Sequence, residues 1–132
     1  MEFLVVFILL FLLELLYFRI ANRFNIIDKP NERSSHSQIT LRGGGIVFYF
    51  GVLLFFIYSK CAYPWFFGGL TLITLISFID DVHSVSPKLR LVIHFSSLLL
   101  FFYGLGLLAL PLWAIVLGLI VAAGIINAYN FM

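Results

Sequence analysis

From Leu91 to Ile126 the chain carries no charged residue, and His94 is the only side chain there that titrates near neutral pH. As a single α-helix this stretch would be about 54 Å long at 1.5 Å per residue. The hydrocarbon core of a bilayer is only about 30 Å thick. The stretch must therefore fold back once, and Gly104-Leu105-Gly106 with Pro111 is the one cluster of helix breakers placed for the turn. It reads as two membrane spans. The remaining sequence agrees, since 63% of the 132 residues are hydrophobic and 11% are charged, against roughly 25% charged in an average soluble domain. Such a composition excludes a disordered chain and an ordinary water-soluble globule. The formal charge of +2 gives no footprint for nucleic acid. Cys61 is the only cysteine, so neither an internal disulfide nor a zinc cluster can form.

Three more apolar runs precede this stretch. The first, Phe3 to Phe18, is broken only by Glu14. No positive charge precedes it and no small-x-small cleavage site follows, so it reads as a retained span and not as a secretory signal. The second, Ile46 to Tyr58, starts directly after Gly43-Gly44-Gly45 and is short for a span unless flanking residues contribute. The third runs from Tyr63 to Ile79 and meets Asp80-Asp81. The expected fold is an all-α polytopic membrane protein with about five transmembrane helices, residues 1–132 forming one transmembrane domain. Alternation places the polar loops 19–45 and 80–90 and the tail 127–132 on one side. Those segments hold seven of the eight basic residues, Arg19, Arg23, Lys29, Arg33, Arg42, Lys88 and Arg90, and the other side holds Lys60 alone. The positive-inside rule makes the basic side cytoplasmic and puts the N-terminus outside.

The residues on the basic side fall into three groups. Lys29, Arg33, His36 and Arg42 lead into the glycine triplet, and a glycine run opening a helix lets backbone N–H groups approach an anion closely. The cations would then pair with phosphate oxygens; a solvated loop whose glycines close a turn explains the same residues. Asp80 and Asp81 repel each other at the negative end of a helix dipole. A divalent cation relieves both, since Mg²⁺ prefers carboxylate oxygens, and so does plain hydration beyond the helix end with Lys88 and Arg90 nearby. One of the two carboxylates could instead titrate high and act as a base. Asn127 and Asn130 share one face if the last helix continues past Ile126. Within the spans, His94 is expected to find a hydrogen-bond partner on a neighbouring helix, and Glu14 to snorkel or to pair with Arg19.

Asp28-x-Pro30-x-x-Arg33-x-x-His36 with Arg42-Gly43-Gly44-Gly45, then Asp80-Asp81 with Ser86-Pro87-Lys88-Leu89-Arg90, then Asn127-x-x-Asn130-Phe131 together resemble the polyprenyl-phosphate N-acetylhexosamine-1-phosphate transferases. The likeness covers nearly the whole chain. It is closer to the bacterial UDP-GlcNAc branch than to the muramyl-pentapeptide branch, which has a lysine where this chain has Ser84. The resemblance implies transfer of a sugar-1-phosphate from a UDP-N-acetyl sugar to polyprenyl (undecaprenyl) phosphate, releasing UMP, with Mg²⁺ (or Mn²⁺) as cofactor. The setting it implies is the bacterial inner membrane, at the first membrane step of cell-surface polysaccharide synthesis. It makes Asp80 and Asp81 catalytic and metal-binding residues, puts Asn127 and Asn130 on the nucleotide side, and gives Lys29, Arg33, His36 and Arg42 phosphates to hold. In that family an Asp-Gly pair, a further metal-binding Asp and about five more spans follow the last motif. The expectation is therefore the N-terminal half of a larger transferase domain, inactive alone and partnered by a C-terminal half.

Two readings without the resemblance remain. One is a small non-enzymatic membrane protein, dimerising through Gly118 and Ala122 as a small-xxx-small face. The other is a small cation-coupled transporter with Asp80-Asp81 as its ion site, although these acids sit at a span boundary and not at mid-membrane.

Overall fold

The computed structural model describes residues 2–28 and 39–131, with five α-helices among them: α1 Glu2–Arg23, α2 Ile46–Tyr58, α3 Pro64–Val82, α4 Pro87–Gly104 and α5 Leu112–Phe131. The chain is all-α and polytopic. Two antiparallel two-residue strands, β1 Ile27–Asp28 and β2 Thr40–Leu41, are the only other regular pairing there. Charge does not end these helices where the sequence expectation put their ends. Residues 19–23 belong to α1, α3 continues through Asp80 and Asp81, and α5 runs through Asn127 to Phe131. The polar loop expected over 80–90 is thus only the connection 83–86 between two helix ends.

Helix breakers set the boundaries. Pro64 and Pro87 occupy the first turns of α3 and α4, where proline's missing N–H costs nothing. The Ser86 hydroxyl caps α4 by accepting from the Leu89 N–H at 3.3 Å. The turn expected at Gly104-Leu105-Gly106 and Pro111 is present, with Gly106 at φ +70° and a short 3₁₀ turn, Leu107–Ala109, leading into α5.

Three segments are long and apolar enough to cross a bilayer, Phe3–Arg23, Pro64–Val82 and Leu112–Tyr129. α4 matches them in length with 18 residues, but Lys88, Arg90 and His94 lower its hydropathy. α2, with 13 residues, is about 20 Å long. Large apolar side chains point outward along every helix, and the buried hydrophobic set is small: Tyr17, Ala21, Val47, Ile76, Leu98, Phe102 and Ala123. Lipid is the solvent for the remaining apolar surface, so close packing and polar contacts between helices must hold the bundle. At the α3–α4 seam a Cβ on Gly69 would sit 2.8 Å from the Ser97 carbonyl oxygen, and the Ser97 hydroxyl donates to the Gly69 carbonyl. Between α2 and α3, Phe56 stacks on Phe67 with centroids 4.2 Å apart, and the hydroxyls of Tyr49 and Thr71 lie 3.1 Å apart. A Cβ on Gly118 of α5 would sit 3.0 Å from the Phe102 ring of α4, so the two helices approach closely there.

Candidate functional site

The two adjacent aspartates have different surroundings. Asp80 Oδ2 pairs with the Arg90 guanidinium at 2.8 Å, and its Oδ1 accepts from the Val85 N–H at 2.7 Å. These two bonds close the 83–86 connection and tie the end of α3 to the first turns of α4. Asp80 therefore obtains its positive partner from its own chain. The Arg90 guanidinium offsets both the helix-end potential and the neighbouring negative charge. Asp81 is exposed and lines a groove of about 260 Å³ between α2 and α3.

The other wall of this groove is the glycine turn. β1 and β2 bring the chain back from α1, with Arg42 N–H donating to the Ile26 carbonyl at 3.1 Å. The Tyr17 hydroxyl donates to the Arg42 carbonyl, and the Tyr17 ring meets Phe78 edge-on with centroids 6.4 Å apart. Around them Tyr17, Ala21 and Val47 form a small core with Ile26, Leu41 and Phe78. Gly43 sits at φ +73°, and a Cβ there would overlap the Tyr17 hydroxyl and crowd Phe78. The glycine triplet thus lets the polar segment lie flat against α1 and α3. The first N–H groups of α2, on Ile46, Val47 and Phe48, donate to the carbonyls of Gly43, Gly44 and Gly45 at 3.1–3.2 Å. That 3₁₀-like turn uses donors which the sequence reading offered to an anion. Glu14 reaches the same place, its Oε1 lying 3.2 Å from where a Cβ on Gly44 would stand. It meets the head of α2 at that point, one turn before Tyr17.

The remaining predicted residues are distributed as follows. Arg42 is at the edge of the groove's glycine wall, and its charge acts on Asp80. Asn127 is half-buried on α5, which packs back along α4 so that its C-terminal end returns towards the end carrying Asp80. The backbone of Asn130 continues that helix, and its side chain lies outside the described residues. Lys29, Arg33 and His36 also lie outside them. The structure thus brings Asp80, Asp81 and Arg42 to one end of the bundle, joined by Glu14 and Tyr17, to which the sequence reading gave no part in a site. Thr74 and Ser77, which line the groove beside Asp81, were missed because their hydroxyls stand inside an apolar run.

His94 departs from expectation. It is fully buried, and neither ring nitrogen has a hydrogen-bond partner among the described residues. An unpartnered buried polar group costs about 1–3 kcal/mol. His94→Leu, of similar volume, is expected to stabilise the chain by about that amount, read as a rise in thermal midpoint in detergent. A fall in midpoint would mean that the imidazole is bonded.

Asp81 suits a divalent cation in one specific sense. Mg²⁺ is usually held by one or two carboxylates and completed by substrate phosphates and water. Asp81 lines the groove at the negative end of α3, and Asp80 is held by Arg90 and Val85. Among the described residues no group of three or more His, Cys, Asp or Glu side chains comes together. No family model matches the chain, and neither a curated protein nor a solved structure matches it.

Proposed function

We propose that this chain is the lipid-phosphate-binding part of a phosphotransferase, moving an N-acetylhexosamine-1-phosphate from a UDP-sugar to polyprenyl phosphate. The observation that carries the reading is the aspartate pair at the end of α3, with Asp80 held by Arg90 and Asp81 lining a groove beside the glycine turn. Phosphoryl transfer depends chiefly on positioning and on neutralising charge, and this arrangement divides those tasks. Asp80 and Arg90 hold the α3 end in place, and Asp81 faces the ligand. Mg²⁺, held by Asp81 and by phosphate oxygens, would supply that charge neutralisation. Arg42 assists at the same end, and Asn127 with Asn130 serves the nucleotide from α5. Lys29, Arg33 and His36 extend the phosphate-holding set in this reading. The basic end is cytoplasmic, the N-terminus lies outside, and the membrane is the bacterial inner membrane.

The test is Mg²⁺-dependent UMP release from UDP-GlcNAc and polyprenyl phosphate by membranes containing this chain, alone and co-expressed with an Asp-Gly-bearing C-terminal half. Release that disappears with EDTA and with Asp81→Asn is the expected result. Release that is absent in both arrangements, or indifferent to Asp81, overturns the reading.

A further inference from the structure

The hydroxyls inside the bundle differ in one respect. Ser and Thr within an apolar helix ordinarily satisfy their hydroxyls on a carbonyl three or four residues back. Thr71 does so on Phe67 at 2.8 Å, and Ser96 on Val92 at 2.9 Å, while Ser97 crosses to Gly69. Thr74 and Ser77 have no hydrogen-bond partner among the described residues, and both line the α2–α3 groove. They stand one turn apart on α3, and Asp81 lies one further turn along the same face. The groove therefore presents two unused hydroxyls beneath a carboxylate, facing the glycine turn that follows Arg42 and flanked by Ile46, Ile73 and Phe78.

We infer that Thr74 and Ser77 are ligand-contacting residues, and that the head of a polyprenyl phosphate enters sideways between α2 and α3 to lie on them. This rests on the transferase reading above for the identity of the lipid. The groove is smaller than the 300–1,000 Å³ typical of whole small-molecule sites, so it takes the phosphate and the first isoprenoid carbons. The rest of the chain lies in the bilayer along α2. Each hydroxyl donates to a phosphate oxygen, the apolar wall takes the allylic end, and Arg42 offsets the phosphate charge, as a cation held at Asp81 would.

The test uses the whole 132-residue chain in detergent with Mg²⁺, and farnesyl phosphate as the probe, read by native mass spectrometry. Thr74→Val and Ser77→Ala keep the side-chain shape closely and remove only the hydroxyl. Each is expected to weaken binding roughly tenfold, while Ser96→Ala, whose hydroxyl is spent within α4, leaves it unchanged. Thermal midpoints measured alongside separate lost binding from lost folding. The inference falls if the wild-type chain does not bind the probe, if the double variant binds equally well, if farnesylamine binds better, or if phosphatidic acid competes equally. Bound farnesyl phosphate that depends on Thr74 and Ser77, with no UMP release in either arrangement above, keeps this inference and removes the transfer. UMP release with binding indifferent to both hydroxyls does the reverse.

Discussion

Asp81→Asn is expected to lower Mg²⁺-dependent UMP release by roughly 10² to 10³, because a carboxylate holding a catalytic metal is worth several kcal/mol in the transition state. Its thermal midpoint should move far less than its release, since Asp81 is exposed and an exposed charge contributes about 1 kcal/mol at most. Asp80→Asn is expected to show the opposite profile. The asparagine carbonyl can still accept from Val85, but the ion pair with Arg90 is lost. Both partners are about a quarter exposed, so solvent screening limits the loss of stability to about 1 kcal/mol. Arg90→Met, which leaves the Asp80 carboxylate without its cation at the end of a span, should cost more, and adding Asp80→Asn to it should restore part of the loss. If both asparagine variants lose release equally with unchanged midpoints, the division of labour between the two carboxylates is wrong.

The second large effect concerns the glycine triplet, whose three positions should respond unequally. At Gly43 a valine meets the Tyr17 hydroxyl and Phe78 and must adopt φ +73°. Left-handed backbone costs an L-residue about 1–2 kcal/mol, more for a β-branched one, and the overlap adds about 1–3 kcal/mol. Gly43→Val should therefore detach the segment 39–45 from α1 and α3, visible as proteolytic cleavage near Arg42 at native temperature. At Gly45 nothing lies within 4 Å of an added Cβ, and Gly45→Ala should be neutral or slightly stabilising. Gly44→Ala falls between, as the Glu14 carboxylate must yield by a few tenths of an ångström. Equal tolerance at all three positions would show that the turn does not pack as described.

These expectations also mark how much was legible in the sequence. The five helices and the turn after Gly104 followed from hydropathy, from the length of the charge-free stretch and from glycine's access to positive φ at Gly106. The ends of α3 and α5 did not, because charge and amide groups ordinarily mark the end of an apolar span, whereas the backbone bonds of α3 extend through Asp80 and Asp81 to Val82. The aspartate pair stood out at once, yet its asymmetry depends on Arg90 folding back over a four-residue connection, which no local pattern encodes. In the sequence Gly43 is one of three equivalent glycines, and only the close approach of Tyr17, 26 positions earlier, sets it apart. Thr74 and Ser77 were hidden for a different reason. A hydroxyl in an apolar run signals nothing until its neighbours' hydroxyls are found satisfied and its own is not.

The length of α2 bears on where lipids meet this end of the molecule. At about 20 Å it falls some 10 Å short of the hydrocarbon layer that α1, α3 and α5 can cross. A bilayer responds to such hydrophobic mismatch by thinning locally or by letting flanking groups sink, at fractions of a kcal/mol per ångström. Thinning beside α2 would draw the headgroup plane toward the turn at Gly43–Gly45. In the proposed reading, lipid phosphates beside α2 would then lie nearer the mouth of the groove that Asp81 lines.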